Sequence, residues 1–487
     1  MRSRVCREAV RGWRWRRLQV AGLVALACAV GACQPDGDGP NAINRANKAD
    51  RLLAAAAAQP AIQPASAGDA DLAVPEPAAE QPPAVLLARL HADLRELASG
   101  QRTRPLTIVH IGDDHVAADR LTSEMRRLFQ SRFGDAGRGL VMPAGIFRSH
   151  RADGIRYALS GDWRSELATT LPEGGFGLTG ARAVATAKGD SMTLDVEGGF
   201  DTAEVVLMGG PEQGRVGVAV DGQTTEITTK RKAGQLVRVL SQRPGKQVVI
   251  TAMQDRPVAV TGISLGRNRP GVRYVNIGLP GADIGALAGL DQALAGDELA
   301  KLAPSLIVLN FGSVAGFNDD LDKTDYAVTA LSLVKRIRSW SPQSAVAIVG
   351  PPDAVRLPDY AGSAARDSGD TACRALSQEE VAHYREGIAA ADPRLARWHP
   401  PINLADVREI WRRVAAAEGA FYWDWHAFTG GDCSSHTWAY ADPPLASRDH
   451  RLLTAEGYRR SADALFQQLV NGLMSGTPEA TAPVASQ

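Results

Sequence analysis

Apolar runs of five or six residues, each stopped by a glycine or a polar turn, alternate along this chain with stretches in which apolar residues recur every three or four positions. Residues 106–111 form a continuous buried-strand pattern that ends at Gly112, and the next segment carries Leu121, Met125, Leu128 and Phe129 on one helical face. Strand, sharp Gly-Asp turn and helix open a parallel α/β unit. Further buried strands are predicted at 306–311, 345–349 and 420–423, with helices at 326–340, 404–417 and 454–473. Pro83 starts an amphipathic helix through Leu86, Leu87, Leu90 and Leu94. The alternation predicts an α/β fold with a doubly wound parallel sheet.

One stretch breaks that rhythm. From 156 to 265 the chain alternates in short segments rich in Val, Thr and Ile, at 192–197, 203–208, 215–220, 224–229, 236–240, 247–252 and 258–265. Asp221-Gly222 between two of them is a hairpin signal. The pattern predicts an inserted all-β sandwich of seven or eight strands, comparable to a jelly roll. Its few aromatics leave two roles open, sugar recognition and structural spacing.

The ends are different in kind. Seven arginines lie in the first 17 residues, followed by a short apolar stretch to Ala32. A basic head and an apolar run too short to span a bilayer comfortably predict an export signal over 1–32, the alternative being an uncleaved anchor. Residues 33–84 form an Ala/Pro-rich tether with too few large apolar residues to fold alone, and 476–487 form a disordered tail. The predicted organisation is therefore 85–155 and 266–475 for the two halves of the α/β domain, around the insert at 156–265.

Composition adds little except through the leader. The 487 residues carry 54 Lys+Arg and 54 Asp+Glu. Removing residues 1–32 takes away seven Arg and Glu8, leaving 47 basic against 53 acidic residues, a net charge of −6. The mean hydropathy of −0.15 argues against a multi-span membrane protein, and no basic tract points to a nucleic-acid partner. Of five cysteines, Cys6 and Cys28 leave with the leader, so Cys373 and Cys433 remain besides Cys33. In an oxidising compartment they predict one disulfide, two separate buried thiols being the alternative. No cysteine pair has zinc-site spacing, and neither a cofactor nor a metal is assigned.

Several motifs carry resemblances. Val30-Gly31-Ala32-Cys33 resembles a bacterial lipobox, which implies lipidation of Cys33 and attachment to the periplasmic face of the envelope. Gln34 after the cysteine implies the outer membrane. Gly112-Asp113-Asp114-His115, Gly278-Leu279-Pro280-Gly281-Ala282, Phe311-Gly312-Ser313-Val314 and Asp449 through Tyr458 stand in the order of the four blocks of the SGNH (GDSL-like) hydrolases. The segment 105–475 resembles in particular secreted carbohydrate O-acetylesterases with an inserted β-domain. The resemblance implies a nucleophile at 114, an oxyanion hole from Gly281 N–H and residue 314, a base at 452 and an orienting acid at Asp449. An acyl-transfer site needs a hydroxyl, a base and oxyanion donors. Here the positions hold Asp114, Val314 and Leu452, so only Asp449 and the Gly281 backbone match.

Other arrangements of the same residues stay open. Asp113, Asp114, His115, Asp449 and His450 are expected at the strand ends, as an acid/base carboxylate pair or as cation ligands. Asp113 and His115 form an Asp-x-His pair of the kind used with a distant Ser by alginate-type O-acetyltransferases, and Ser313 is the candidate serine; His115 equally fits packing at a helix start. Trp423 and Trp425 are candidate sugar platforms or core, and Asp353 a candidate polyol ligand or loop anchor. The expectation is a lipid-anchored, catalytically impaired esterase scaffold that binds an envelope or exported polysaccharide. The alternatives are a working O-acetylesterase or acetyltransferase with rearranged residues, and an assembly factor.

Overall fold

A computed structural model describes residues 81–143, 151–362 and 372–473. The expected leader over 1–32 with Cys33, the expected tether up to residue 80, and residues 474–487, which include the expected tail, lie outside the described residues. No described helix is long and apolar enough to cross a membrane.

Five strands make one parallel sheet. They are β1 (Leu106–Gly112), β13 (Val272–Gly278), β14 (Leu306–Asn310), β15 (Ala345–Val349) and β16 (Phe421–Trp423), side by side in the order β13-β1-β14-β15-β16. Every pair is parallel, with Gly112 opposite both Gly278 and Asn310. Alternate residues of each strand feed two cores, because side chains along a strand point to opposite faces. Val109, Ile111, Ile277, Leu309 and Ile348 join the helices Gln292–Leu302, Lys323–Trp340 and Leu404–Ala417. On the other face, Ile108, Tyr274, Val308 and Ala347 join the helices Ala88–Ala98, Arg120–Phe133 and Ala455–Val470. The result is an α/β/α layer structure. Successive strands step to one side of β1 and then to the other, so the strand order reverses at β1. Such a switch point leaves a crevice at the carboxyl ends, where ligands bind in open α/β sheets.

The insert is an antiparallel sandwich. One sheet runs β10 (Gln235–Ser241), β7 (Thr202–Gly209), β12 (Val258–Gly266), β5 (Ala181–Ala185), β4 (Trp163–Leu167), with β2 (Gly139–Val141) also paired to β12. The other runs β3 (Ile155–Ser160), β6 (Ser191–Phe200), β11 (Gly245–Ala252), β8 (Arg215–Val220), β9 (Gln223–Thr228). Val205, Leu207, Val218, Val248, Ile250, Val260 and Ile263 fill the space between them. The described sheets thus hold eleven strands where seven or eight are expected. Those the pattern misses are β2, β3, β4 and β5. β3 and β4 leave most of their residues exposed or half-exposed, so no apolar alternation marks them. β5, Ala-Arg-Ala-Val-Ala, lacks the β-branched residues that signal a strand.

A buried ion cluster joins the sandwich to the α/β domain. Asp119 Oδ2 accepts from Arg126 at 3.1 Å, from Arg138 at 2.8 Å and from the Asp153 N–H at 2.8 Å. Burial pushes the Asp119 carboxyl up, but the two guanidinium charges and its hydrogen bonds outweigh that and hold it below the usual carboxylate range. Cys373 and Cys433 form a disulfide that ties a loop to the segment after β16.

Candidate functional site

The switch point lies where β1 ends, and in open α/β sheets it is there that a ligand crevice is expected. Gly112 and Gly278 let the short helix Asp114–Ala117 cross the strand ends at close range: a Cβ on Gly112 would sit 2.3 Å from the Asn310 carbonyl oxygen, and one on Gly278 2.1 Å from the Ala117 nitrogen. Larger residues at either position would push the helix off the sheet. Asp113 caps this helix, its Oδ1 accepting the His115 N–H at 3.1 Å.

Asp114 is half-buried at the position where the resemblance puts a nucleophile. Its Oδ2 accepts the Gly281 N–H at 3.1 Å. Gly281 has φ +67, a backbone conformation glycine adopts without strain, and nothing lies within 4 Å of where a Cβ would sit. The carboxylate therefore occupies the N–H that the resemblance assigns to an oxyanion hole. Val314 offers no donor, and Leu452 no base.

Asp113 is fully buried. Burial pushes its carboxyl up, and the neighbouring Asp114 charge adds to this; the His115 N–H and nearby Ser313 pull the other way, leaving it at about 7. Ser313 lies close enough to act electrostatically, yet neither Ser313 Oγ nor Asp113 Oδ2 completes a hydrogen bond.

His115 does not complete an Asp-x-His relay. Its link to Asp113 runs through the backbone N–H, while ring Nδ1 pairs with the Tyr458 hydroxyl at 2.8 Å. The ring packs on Trp425, with centroids 5.0 Å apart, and burial pulls its pKa down to about 4. With its basicity lowered by burial and Nδ1 taken up by Tyr458, it fits packing at the helix start better than the role of a base. Trp425 itself is fully buried, donating to Ser461 Oγ at 2.9 Å, and Trp423 stacks on it with 5.7 Å between centroids. Neither presents a free face to a sugar ring, so of the two expectations for these rings, sugar platform or core, their packing fits the core.

The last block separates its two polar residues. Asp449 is exposed and serves its own loop, accepting from Ser447 Oγ, from the Arg451 N–H at 3.0 Å and from the Leu452 N–H at 3.3 Å. Partial desolvation of the carboxyl pushes it up, but these bonds and the Arg451 charge bring it below the ordinary range. His450, at φ +57, is buried between Trp398 (4.0 Å between centroids) and His436 (5.1 Å), with both ring nitrogens unpartnered. Burial, helped by His436, pulls its pKa to about 4. The two neighbours in sequence share no site.

Asp353 follows β15, is buried, and accepts the Ser435 N–H at 2.9 Å and hydroxyl at 2.8 Å through Oδ2. Burial raises its carboxyl against these two donors. The sequence reading leaves Trp398, His436, His426 and Asp432 without roles, since residues far apart in the chain and joined only through strand ends and a disulfide give no spacing signal. Tyr458 was within reach, since it stands in the last block directly after Gly457.

No family model and no curated protein matches this chain. Among solved structures it is similar to a peptidoglycan O-acetylesterase, with 24% identity over 80% of this chain and 97% of that one and a TM-score of 0.63. A family-two carbohydrate esterase from Clostridium thermocellum also matches (10% identity, 66% and 98% of the chains, TM-score 0.24), as does an acetyl xylan esterase from Butyrivibrio proteoclasticus (11%, 65% and 99%, 0.23). The likeness to the first is one of fold: a parallel α/β domain with an additional β-sandwich.

Proposed function

We propose that this chain is a non-hydrolysing member of the esterase fold, a lipid-anchored envelope protein that binds a glycan in the crevice at the end of β1. One observation carries the proposal, the bond from the Gly281 N–H to the Asp114 carboxylate. An acyl oxygen entering there must displace that carboxylate and then develop charge beside it. At about 4 Å and an effective dielectric constant of about 20, two like charges repel by roughly 4 kcal/mol, and that is close to a thousandfold in rate. With no hydroxyl at 114 and no base at 452, the nucleophile–base unit is also missing, leaving at most ~10³–10⁴-fold over water.

The same carboxylate suits a different ligand. It accepts hydrogen bonds and repels carbonyl oxygens, so the crevice selects free hydroxyl groups over their acetyl esters. The reading is a protein that senses or retains de-O-acetylated envelope or exported polysaccharide, held at the periplasmic face of the outer membrane through Cys33. Peptidoglycan fragments are the first ligands to try, given the esterase that shares the fold.

Calorimetric titration with matched O-acetylated and de-O-acetylated fragments tests this. The expected result is preference for the de-O-acetylated form, abolished in Asp114→Ala. Equal affinity for both forms in the wild type would refute it. Radiolabelled palmitate incorporation that disappears in Cys33→Ala tests the anchor separately.

A further inference from the structure

Three metal-ligating side chains converge at the carboxyl ends of β15 and β16. Asp353 follows β15. His426 lies in the helix Trp425–Thr429 that follows β16, and Asp432 in the loop leading to the helix Ser434–Ala439. One ligand atom from each lies within 4.8 Å of the other two, and His426 Nε2 is 2.9 Å from Asp432 Oδ1. The loop is shaped to keep Asp432 there: Gly430, Gly431 and Cys433 all have positive φ, the Gly431 N–H returns to the His426 carbonyl at 2.9 Å, and Cys433 is bonded to Cys373.

Asp353 sets this group apart from an ordinary surface cluster. Its side chain is in a residue only 2% exposed, Oδ2 is held by both donors of Ser435, and Oδ1 is buried with no hydrogen-bond partner. Buried carboxylate oxygens are paired or ligate an ion. A carboxylate oriented by an outer hydrogen bond, beside an imidazole and a second carboxylate, is the arrangement of a metal site with its supporting shell.

Arg408 is the competing cation. Its Nη2 lies 3.5 Å from Asp432 Oδ1, and its Nη1 is buried without a partner. Two carboxylates face one guanidinium, so the guanidinium does not cancel their charge. Calcium requires six to eight oxygen ligands, whereas one imidazole and two carboxylates match the donor set of zinc, with a fourth position left for water. We infer that Asp353, His426 and Asp432 bind one divalent transition-metal ion of the zinc class. When the metal binds, the imidazole carries its proton on Nδ1, and Nε2 exchanges its hydrogen bond to Asp432 for the metal.

Zinc titration of the chelator-treated protein by calorimetry, with elemental analysis of bound metal, tests the site. One zinc per chain is expected in the wild type. His426→Ala and Asp353→Asn are expected to weaken binding by more than ~100-fold, and Ser435→Ala by about 10–100-fold, as for loss of an outer partner. Arg408→Ala is expected to bind at least as tightly as the wild type. Asp353 is buried and its variant can fail to fold, so His426→Ala, at a partly exposed residue and checked by circular dichroism, decides the matter. A wild type that binds no stoichiometric zinc, or a folded His426→Ala that binds as the wild type does, overturns the inference. Loss of binding in His436→Ala with retention in His426→Ala overturns it as well, by moving the ion to the stacked histidines.

Discussion

Replacing Asp113 by Asn isolates what it costs the fold to keep an ionised carboxyl beneath the crevice. Its pKa is pushed from an ordinary 3.8 to about 7. Three units correspond to about 4 kcal/mol between the two protonation states. The sign follows from proton counting: between pH 3.8 and 7 the folded chain holds a proton that the unfolded chain has released. This group's contribution therefore falls as pH rises through that window and is level above it. His115 and His450, both pulled to about 4, act in the opposite sense, since the unfolded chain takes up protons first as pH falls below their ordinary 6.5. Comparing the Asn variant with the wild type cancels the histidines. Asn keeps the Oδ1 acceptor that caps the helix, so little else changes. Urea unfolding followed by tryptophan fluorescence should show the variant's advantage growing by about 3 kcal/mol between pH 5 and pH 8.5. An advantage that stays constant or shrinks over that range would show that Asp113 titrates as an ordinary carboxyl and that the site's electrostatics are wrong.

Two further perturbations probe how the scaffold holds the crevice. Asp119→Ala leaves Arg126 and Arg138 buried without their carboxylate, and should lower unfolding free energy by about 3–5 kcal/mol; a loss below 1 kcal/mol in urea unfolding would place the cluster in solvent. Cys433→Ser opens a cross-link spanning 60 residues, for which the chain-entropy relation gives about 4 kcal/mol. Thermal melting should show the drop, reductant should reproduce it in the wild type and leave the variant unmoved, and equal sensitivity to reductant in both would contradict the assignment.

How far the sequence reveals this molecule depends on the range of the interactions. β1, β14 and β15 are legible because a strand covered on both faces must be apolar throughout. The helix 404–417 matches because a one-sided helix repeats every three to four residues. β3 and β5 are not legible, since exposure in one and alanine in the other erase the alternation. The block order places Asp114 and Gly281 just past strand ends and Asp449 on the loop before the last helix, but the bond between Asp114 and Gly281 spans 167 positions and no local pattern encodes it. The left-handed backbone at His450 turns its ring into an aromatic pocket, away from any partnership with Asp449 that adjacency would suggest. Sequence leaves Trp425 open between sugar platform and core because burial is a property of three elements packing together, here through Trp425, His115 and Tyr458.

Ester turnover decides the matter most directly. With p-nitrophenyl acetate and an O-acetylated glycan as substrates, the wild type and Asp114→Ala should release product at the same rate, no faster than heat-denatured protein. A wild-type rate well above that background, abolished by Asp114→Ala or by Ser313→Ala, would contradict the proposal that the carboxylate at Gly281 has closed this fold to acyl transfer.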